Sequence, residues 1–384
     1  MLPKAIKIAA IEPSGRLYGS EYCLLDLLRG VNSASFQWIT YTTQGAFAEL
    51  LTREAKHSQV INCLTDNLHL KNKWTKLKTY LRLFVNLAKQ KPDVLYVNQA
   101  GILRASHFIA EILGINTICQ VQTLEDAEAL SKTGVSYKKV YAFICNSQFI
   151  ADRTLVSHER KCVLYQGISP TQRVPITSPE DRKPEDKLRL GILGRISASK
   201  GHYLLAEMAR HLLNRHCDFS IRVIGDGLTT RDTDQWKEYI QASGMQSFFE
   251  FRGYRTNLQE EFGALDLLLI PSLAEPLGRV LFDAANHGVP VVVSDAGGLG
   301  EIASLYQVGI PFRSGDPMAM ADAIMKFNAN RANETSRFHD NSRSMLSALS
   351  MTSYLRCIEQ ILYSTYHQQP SNLTWFGDRT GTAR

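Results

Sequence analysis

The sequence predicts an α/β protein built from two doubly wound, Rossmann-like domains joined by a linker. Short apolar runs alternate with amphipathic segments in both halves of the chain, which is typical of parallel sheets covered by helices. A stretch rich in proline and charged residues separates the halves. A length of 384 residues, 44% of them hydrophobic, is sufficient for two separate cores.

The first domain is predicted to span residues 1–170. Its strands are expected where short apolar runs end at polar or turn residues, and amphipathic patterns predict helices between them. The expected strands are 6–11, 36–41, 94–98, 116–121 and 140–146, and two of the helices are 21–28 and 104–113.

The linker is predicted at residues 171–187, which hold three prolines among dense charges. The second domain, 188–348, begins with a strand at 188–193 and a helix at 203–213. Beyond Met318 the pattern is helical to about Tyr366, and the last helix is predicted at 349–366. The tail 367–384 is polar, and its sequence predicts no role.

Composition excludes several classes of protein. The seven cysteines are scattered and odd in number, which favours free thiols in a reducing cytosol over a disulfide framework. They show no metal-ligand spacing, so we expect neither a structural zinc nor a metal cofactor. No leader-type segment and no apolar run of about 18 residues is present, so we expect a cytoplasmic protein that does not span a membrane.

Residues 248–301 carry the most informative pattern. Two apolar runs bounded by glycine and proline predict buried parallel strands, and a helix is predicted directly after the first, at 278–287. A helix N-terminus at the carboxyl edge of a parallel sheet attracts anions. Glu275 precedes this helix and Asp283 lies within it, so both carboxylates can face one pocket. A phosphate site beside two carboxylates suits a nucleotide sugar.

This order of elements resembles the retaining glycosyltransferases of family 4, which have the GT-B architecture. Their signature is a Glu, seven residues and a second Glu, and here Glu275 is followed after seven residues by Asp283. The resemblance extends to the segment from Gly194-Arg195 to Lys200-Gly201 and to a Gly-Asp-Gly turn at 225–227. Because these motifs occur in the family's order and spacing, chance is a poor explanation.

The resemblance implies two domains facing each other across a cleft, with the last helix crossing back to the first domain. It also implies donor-site roles for particular residues. Arg195 and Lys200 would stabilise the leaving diphosphate, Glu275 would contact hydroxyls of the donor sugar, and Asp283 would accept hydrogen bonds from the ribose. Further donor contacts are implied at Gly194, Gly253, Tyr254, Gly278, Arg279 and Val280.

Simpler interpretations stay open for the same residues. Arg195 and Lys200 are also compatible with surface charges on a loop. Glu275 can be a carboxylate that caps the following helix, and Asp283 a solvated helix residue. Arg279 can point outward, and residues 253–254 can be an ordinary turn at a strand end.

In the first domain, Gly15 and Gly19 stand where the family has its glycine-rich loop after the first strand. Two glycines let such a loop approach a ligand, although similar turns are common in doubly wound domains. Where the family often has a histidine in the cleft, this sequence has none, so Gln122 or Glu125 is expected to replace it. His107 is expected on the surface or in the core.

Residues 71–91 form a charge anomaly, with seven basic residues and no acidic residue. Trp74, Leu77, Leu81, Phe84 and Ala88 fall on one helical face beside basic residues, which suits an anionic membrane surface. Residues 1–170 hold 20 Lys and Arg against 13 Asp and Glu. An ordinary packed helix with a lysine-rich outer side is the alternative. No nucleic-acid-binding motif accompanies the charge, so nucleic acid is not expected as a partner.

Together these features predict a retaining, metal-independent hexosyltransferase that moves a sugar from a nucleotide-sugar donor to a glycan or lipid-linked acceptor. Cell-surface polysaccharide or glycolipid synthesis is the expected setting, with peripheral attachment at the inner face of the membrane. No cofactor is expected, because the nucleotide sugar is a substrate. A nucleotide-sugar epimerase of similar layout and a non-catalytic nucleotide-sugar-binding relative are the alternatives.

Overall fold

A computed structural model describes residues 5–65, 72–131, 137, 139–169 and 186–369 of the chain. The chain divides into two compact units: the first runs to Ser169 and resumes at Leu349, and the second is Pro170–Ala348. Most of the predicted linker, 171–185, and most of the predicted tail, 370–384, lie outside the described residues.

The first unit is built on a seven-stranded parallel sheet. Its strands are β1 Ile6–Glu12, β2 Phe36–Thr42, β3 Ser58–Asn62, β4 Val94–Val97, β5 Asn116–Val121, β6 Val140–Cys145 and β7 Lys161–Val163, in the order β3-β2-β1-β4-β5-β6-β7. Its helices begin with α1 Gly19–Gly30, α2 Ala46–Glu54, α3 Lys73–Gln90, α4 Leu103–Leu113, α5 Leu124–Ser131 and α6 Gln148–Arg153. Helices α3 to α6 pack against one face of this sheet, and α1 and α2 against the other.

The second unit contains a six-stranded parallel sheet. Its strands are β8 Leu188–Leu193, β9 Phe219–Ile224, β10 Phe249–Gly253, β11 Leu267–Ile270, β12 Val291–Ser294 and β13 Ile310–Phe312, in the order β10-β9-β8-β11-β12-β13. Its helices are α7 Leu205–Asn214, α8 Thr230–Ala242, α9 Leu258–Gly263, α10 Arg279–His287, α11 Gly297–Tyr306, α12 Pro317–Ala329 and α13 Arg331–Ala348. Helices α7, α8 and α12 close the core on one face.

The last helix, α14 Met351–His367, packs against the first sheet beside α1 and α2. Its apolar side contributes Tyr354, Ile358 and Leu362 to that core. The Tyr354 hydroxyl also accepts a hydrogen bond from Gln120 Nε2 at 3.2 Å, which ties the helix to β5. The final element of the chain therefore completes the first unit.

Two edge strands of the first unit were absent from the sequence prediction. Strand β3 reads Ser-Gln-Val-Ile-Asn and is half-exposed along its length, and β7 is only three residues long. An edge strand pairs with a neighbour on one side only and buries less of its side chains. Its sequence therefore lacks the apolar run that predicts a central strand. The predicted central strands of both sheets are present, so the predicted α/β fold class is confirmed.

The structure also bears on the expectations drawn from composition. All seven cysteines are free thiols, and Cys63, Cys119, Cys145 and Cys162 are buried. Within the described ranges, no three His, Cys, Asp or Glu side chains lie close enough to hold a metal ion. No helix in the part of the chain that the structure describes has the length and hydropathy needed to cross a bilayer.

Candidate active site

Two segments meet at the carboxyl end of the second sheet. One is the turn 194–201, which follows β8, and the other is the segment 271–278, which follows β11. Strands β8 and β11 are parallel neighbours, so their carboxyl ends lie at the same edge. Ligands of open α/β sheets bind outside this edge.

Backbone contacts lock the two segments together. The Leu273 N–H donates to the Ser199 carbonyl at 2.8 Å. Gly201 has φ +76°, and a Cβ atom there would lie 1.9 Å from the Pro271 carbonyl oxygen. A side chain at residue 201 is therefore excluded both by the left-handed backbone and by the contact.

An ion pair joins the two segments at the sheet edge. Lys200 Nζ donates to Glu275 Oε2, and Ser272 Oγ donates to the same oxygen at 3.2 Å. The Lys200 side chain is 34% exposed and that of Glu275 is 12% exposed. The sequence placed both residues in one site; their direct pairing and the contact of Ser272 were not predicted.

The backbone of Glu275 is fixed as firmly as its carboxylate. Its carbonyl oxygen accepts the Gly298 N–H at 2.8 Å, from the first turn of α11. Ser272 is buried, and its own carbonyl accepts Ser294 Oγ at 2.7 Å, which connects the segment to the end of β12. The carboxylate therefore projects from a rigid support, as a group that orients a substrate must.

Helix α10 begins one residue after Gly278, which is its N-cap with φ +88°. A Cβ atom at Gly278 would lie 2.6 Å from Leu299 Cδ1, so glycine is needed for both conformation and space. No side chain caps the helix. The first N–H groups of a helix lack intrahelical acceptors, and half-buried Arg279 and Val280 provide two of them. This geometry suits a phosphate group.

Asp283 lies one turn into α10 and is half-buried. It is four residues after Arg279, so the two side chains occupy the same side of the helix. The Asp283 carbonyl oxygen lies 2.7 Å from His287 Nδ1. This position, one turn along the helix from Gly278, is compatible with the contact to the ribose that the resemblance implies.

Gly253 is the last residue of β10 and Tyr254 follows it, next to the turn at 225–227. The Tyr254 N–H donates to Asp226 Oδ2 at 2.8 Å, and the Tyr254 ring is exposed. The Gly225 N–H donates to the Gly253 carbonyl at 2.9 Å. These bonds join the ends of β9 and β10, and Asp226 holds the segment 253–254, at which the resemblance implies donor contacts. Arg195 is exposed on the neighbouring turn 194–201.

A buried histidine lies directly behind the basic turn. His202 is fully buried and packs edge-on against Trp236, with ring centroids 5.7 Å apart. Burial lowers the pKa of His202 to about 4, and the nearby Lys200 charge acts in the same direction. A neutral imidazole therefore supports the turn at physiological pH. The sequence alone assigns this histidine no role.

The first-unit residues predicted from the sequence fall into separate environments. Gly15 is buried against the loop after β2, and Gly19 is exposed at the start of α1. Gln122 is buried and donates through Nε2 to the Asn98 carbonyl at 2.9 Å. Glu125 is exposed on the first turn of α5. His107 is buried, in line with the expectation that it is a surface or core residue.

The second unit is similar in sequence to known proteins. Residues 187–330 match the family model described as glycosyl transferases group 1. The lipopolysaccharide core biosynthesis mannosyltransferase LpsB of Rhizobium meliloti (strain 1021) is 30% identical over 146 residues, which cover 37% of this chain and 42% of that protein. The D-inositol 3-phosphate glycosyltransferase of Corynebacterium urealyticum is 30% identical over 142 residues, covering 35% and 33%. The chain thus matches less than half the length of these relatives.

Solved structures extend the similarity to the fold of the chain. HepE of Anabaena, solved in complex with UDP and glucose, superposes with a TM-score of 0.76 at 19% identity, covering 94% of this chain and 100% of that one. A glycosyltransferase from Rickettsia africae gives a TM-score of 0.77 at 16% identity, covering 94% and 98%. The resemblance to the family 4 glycosyltransferases is confirmed: residues 187–330 match the group 1 glycosyltransferases in sequence, and the chain has the GT-B fold with two Rossmann-like domains.

Proposed function

We propose that the protein is a retaining glycosyltransferase that moves a sugar from a nucleotide sugar to a glycan or lipid-linked acceptor without a metal ion. The observation that carries the proposal is the meeting of Lys200 and Glu275 beside the N-terminus of α10. A cation, a carboxylate and a helix N-terminus at one sheet edge match the charges of a nucleoside diphosphate bound to a sugar.

In the proposed reaction, the bond between the sugar and the diphosphate breaks first and negative charge grows on the leaving phosphate. Lys200, Arg195 and the N–H groups at Gly278, Arg279 and Val280 stabilise that charge more in the transition state than in the ground state. Glu275 holds the oxocarbenium-like sugar, and the acceptor hydroxyl attacks from the face that the diphosphate leaves and gives its proton to the departing phosphate oxygen. Attack on that face retains the configuration. Asp283 binds the ribose hydroxyls.

Donor recognition can be tested without knowing the acceptor. Because HepE was solved with UDP and glucose, UDP-glucose is the first donor to test, followed by GDP-, ADP- and dTDP-sugars. A donor at about one hundred times its dissociation constant should stabilise the fold by roughly 2.7 kcal/mol in a thermal-shift assay. Lys200→Ala should lose most of that shift, measured against its own melting temperature without donor. Equal ligand-induced shifts in the two proteins would contradict the proposal.

The surface of α3 supports a membrane-associated acceptor. Its core side carries Thr79, Leu83 and Leu87, and its opposite side exposes a second apolar stripe made of Trp74, Leu77, Leu81 and Val85. Trp74 is 73% exposed. Val85 rather than the predicted Phe84 belongs to this stripe, since Phe84 packs against the core. An apolar stripe that faces water fits the acyl boundary of a bilayer.

Basic residues border this stripe and define the kind of membrane. Lys73, Lys78, Arg82 and Lys89 are exposed on α3, which has no acidic residue, whereas Lys71 lies outside the described residues. Each cation near an anionic surface adds about 1 kcal/mol of attraction, which salt screens. We therefore propose peripheral attachment to an anionic membrane, on its cytoplasmic side, through α3.

Vesicle co-sedimentation tests the attachment. The wild type should pellet with anionic vesicles at low salt, and a Lys73→Gln, Lys78→Gln, Arg82→Gln triple variant should stay in the supernatant with its donor-induced thermal shift intact. The matched control removes two exposed cations of the second unit, Lys326 and Arg343. Wild-type protein that fails to pellet would make the stripe an ordinary surface and remove the support for a lipid-linked acceptor.

A further inference from the structure

The first sheet carries a row of polar side chains at its carboxyl end that the donor site does not include. Glu12 is the last residue of β1, and Asn98, Gln122 and Asn146 directly follow β4, β5 and β6. These four strands are consecutive neighbours in the sheet. All four residues are buried, and Glu12 is completely inaccessible. We call these four residues the edge chain.

The edge chain is hydrogen-bonded in one direction. Asn146 Nδ2 donates to the Gln122 carbonyl at 2.8 Å, and Gln122 Nε2 donates to Asn98 Oδ1 at 3.1 Å. Asn98 Nδ2 then donates to Glu12 Oε2 at 2.6 Å. The bond from Asn146 ends on the backbone carbonyl of Gln122, whereas the side chains of Gln122 and Asn98 donate in sequence toward Glu12, the final acceptor. Asn98 Nδ2 also donates to the Ser20 carbonyl at 3.1 Å.

Glu12 also organises the residues closest to solvent. Its Oε1 accepts the Ser14 N–H at 2.9 Å and Gln99 Nε2 at 2.8 Å. Gln99 is half-buried, and its Nε2 lies 3.3 Å from Ser20 Oγ at the start of α1. One buried carboxylate therefore fixes a loop, a helix start and two amide side chains.

The other end of the edge chain is incomplete. Asn146 Oδ1 is buried and has no hydrogen-bond partner among the described residues. Buried acceptors are almost always paired in folded proteins, so an unpaired one at a sheet edge indicates a donor that binds there. At the Glu12 end of the edge chain the strand order reverses between β1 and β4, since β2 and β4 lie on opposite sides of β1. Doubly wound sheets bind ligands at this position.

We infer that Glu12 is a positioning residue for the acceptor: it fixes the amide of Gln99 directly and that of Gln122 through Asn98, beside the amide of Asn146, so that these groups bind hydroxyl groups of a sugar. This inference rests on the proposed function, which requires a hydroxylated acceptor. Amides that are held rigidly suit a sugar, because each carbonyl oxygen accepts from a hydroxyl and each N–H donates to one.

Glu12→Gln tests the direction of the edge chain. Three donors face the Glu12 carboxylate, and a glutamine can accept hydrogen bonds only at its Oε1 atom. Its Nε2 group would therefore face the N–H group of Asn98, donor against donor. Adding Asn98→Asp restores an acceptor between Gln122 and the new glutamine. The double variant should therefore recover what the single variant loses, which separates the inference from a simple failure to fold.

The measurement is saturation-transfer NMR on a mixture of methyl glycosides of glucose, galactose, mannose and N-acetylglucosamine. The full chain is first filled with UDP-glucose, or with whichever donor gives the thermal shift. Wild type should show transfer to at least one glycoside. Glu12→Gln and Gln99→Ala should weaken its binding about five-fold, which corresponds to one lost hydrogen bond of about 1 kcal/mol. Gln59→Ala, on exposed strand β3, is the matched control and should bind normally.

A pH series adds a readout that a purely structural role would not change. Burial and the carboxylate of Glu21 raise the pKa of Glu12 to about 8, against the hydrogen bonds from Asn98, Ser14 and Gln99. Only the ionised carboxylate of Glu12 can accept all three hydrogen bonds, because the proton of the neutral acid would face one of the three donors. Glycoside binding by wild type should therefore strengthen as pH rises through about 8, and binding by Glu12→Gln should not. Glu21 on α1 and Asp126 on α5, two other buried acids of the first unit, are unchanged in both proteins.

Three results would overturn the inference: no glycoside signal with wild type, equal signals in wild type and Glu12→Gln, or no recovery in the double variant. The donor-induced thermal shift is measured on the same samples. If that shift persists while the glycoside signal is absent, the acceptor inference fails and the proposed donor function stands. If both are absent, the proposed function itself fails.

Discussion

The Glu275→Gln substitution should have opposite effects on nucleotide binding and on transfer. The Glu275 carboxylate pairs with Lys200, so a bound diphosphate must compete for the same cation. Glutamine keeps the shape and can still accept a hydrogen bond from Ser272, but it removes the charge. Lys200 then becomes fully available to the diphosphate.

The exposure of the pair sets the size of the first effect. The lysine side chain is 34% exposed, so water screens the ion pair. We therefore take its interaction free energy as about 1 kcal/mol, the upper end of the range for exposed pairs. That free energy corresponds to about five-fold tighter binding of a nucleoside diphosphate. Transfer loses the carboxylate that faces the developing positive charge of the sugar, which should cost on the order of 3 kcal/mol, or at least a hundred-fold in turnover.

Isothermal titration with UDP, GDP and ADP measures the first effect, and release of labelled sugar from the donor measures the second. Glu250→Gln is the control, because Glu250 is an exposed carboxylate of β10 that pairs with Arg222 and Arg252 away from the turn 194–201. It should change neither quantity. The reasoning is refuted if Glu275→Gln binds the diphosphate no more tightly than wild type, or if it transfers sugar at the wild-type rate.

Four further predictions follow from the second unit. Burial lowers the pKa of His202 to about 4, so the free energy of unfolding is at its full value above about pH 6.5 and falls by up to about 3 kcal/mol toward pH 4. Urea unfolding should show this loss in wild type and not in His202→Phe. Gly201→Ala should lower the melting temperature strongly, since its Cβ would lie 1.9 Å from the Pro271 carbonyl oxygen, and an unchanged temperature would contradict the geometry. Asp283→Asn should chiefly raise the dissociation constant of the donor, measured by titration, with a smaller change in turnover. Arg195→Ala should remove most transfer with an unchanged far-ultraviolet circular dichroism spectrum, because the side chain is exposed and serves a developing charge rather than a core.

The sequence predicted the central strands well because each is buried on both faces. Strand β11 is a continuous apolar run that ends at a proline, and such runs have few alternative structures. Strands β3 and β7 at the edges bury less and carry no comparable pattern. The stripe on α3 shows a similar limit: a helix with two apolar sides has no single periodic signal, so Phe84 was assigned to the outer side and Val85 was missed.

The candidate site was predictable where family motifs mark it and unpredictable where strand order creates it. Lys200 and Glu275 lie in motifs whose spacing placed them at one edge, yet nothing in the sequence indicates their ion pair or the serine that supports it. Glu12, Asn98 and Gln122 are far apart in the chain and become neighbours only through the sheet order. Their pairing could not be read from sequence because strand order is a property of the tertiary fold.

The central claim is that the second unit activates a nucleotide sugar for transfer, and the most direct test is to incubate the protein with labelled nucleotide sugars and identify the products. One donor should release its nucleoside diphosphate, its labelled sugar should appear in a product with the anomeric configuration of the donor, and Lys200→Ala should abolish the release. A labelled epimer that still carries its diphosphate, or equal release by wild type and Lys200→Ala, would contradict the account.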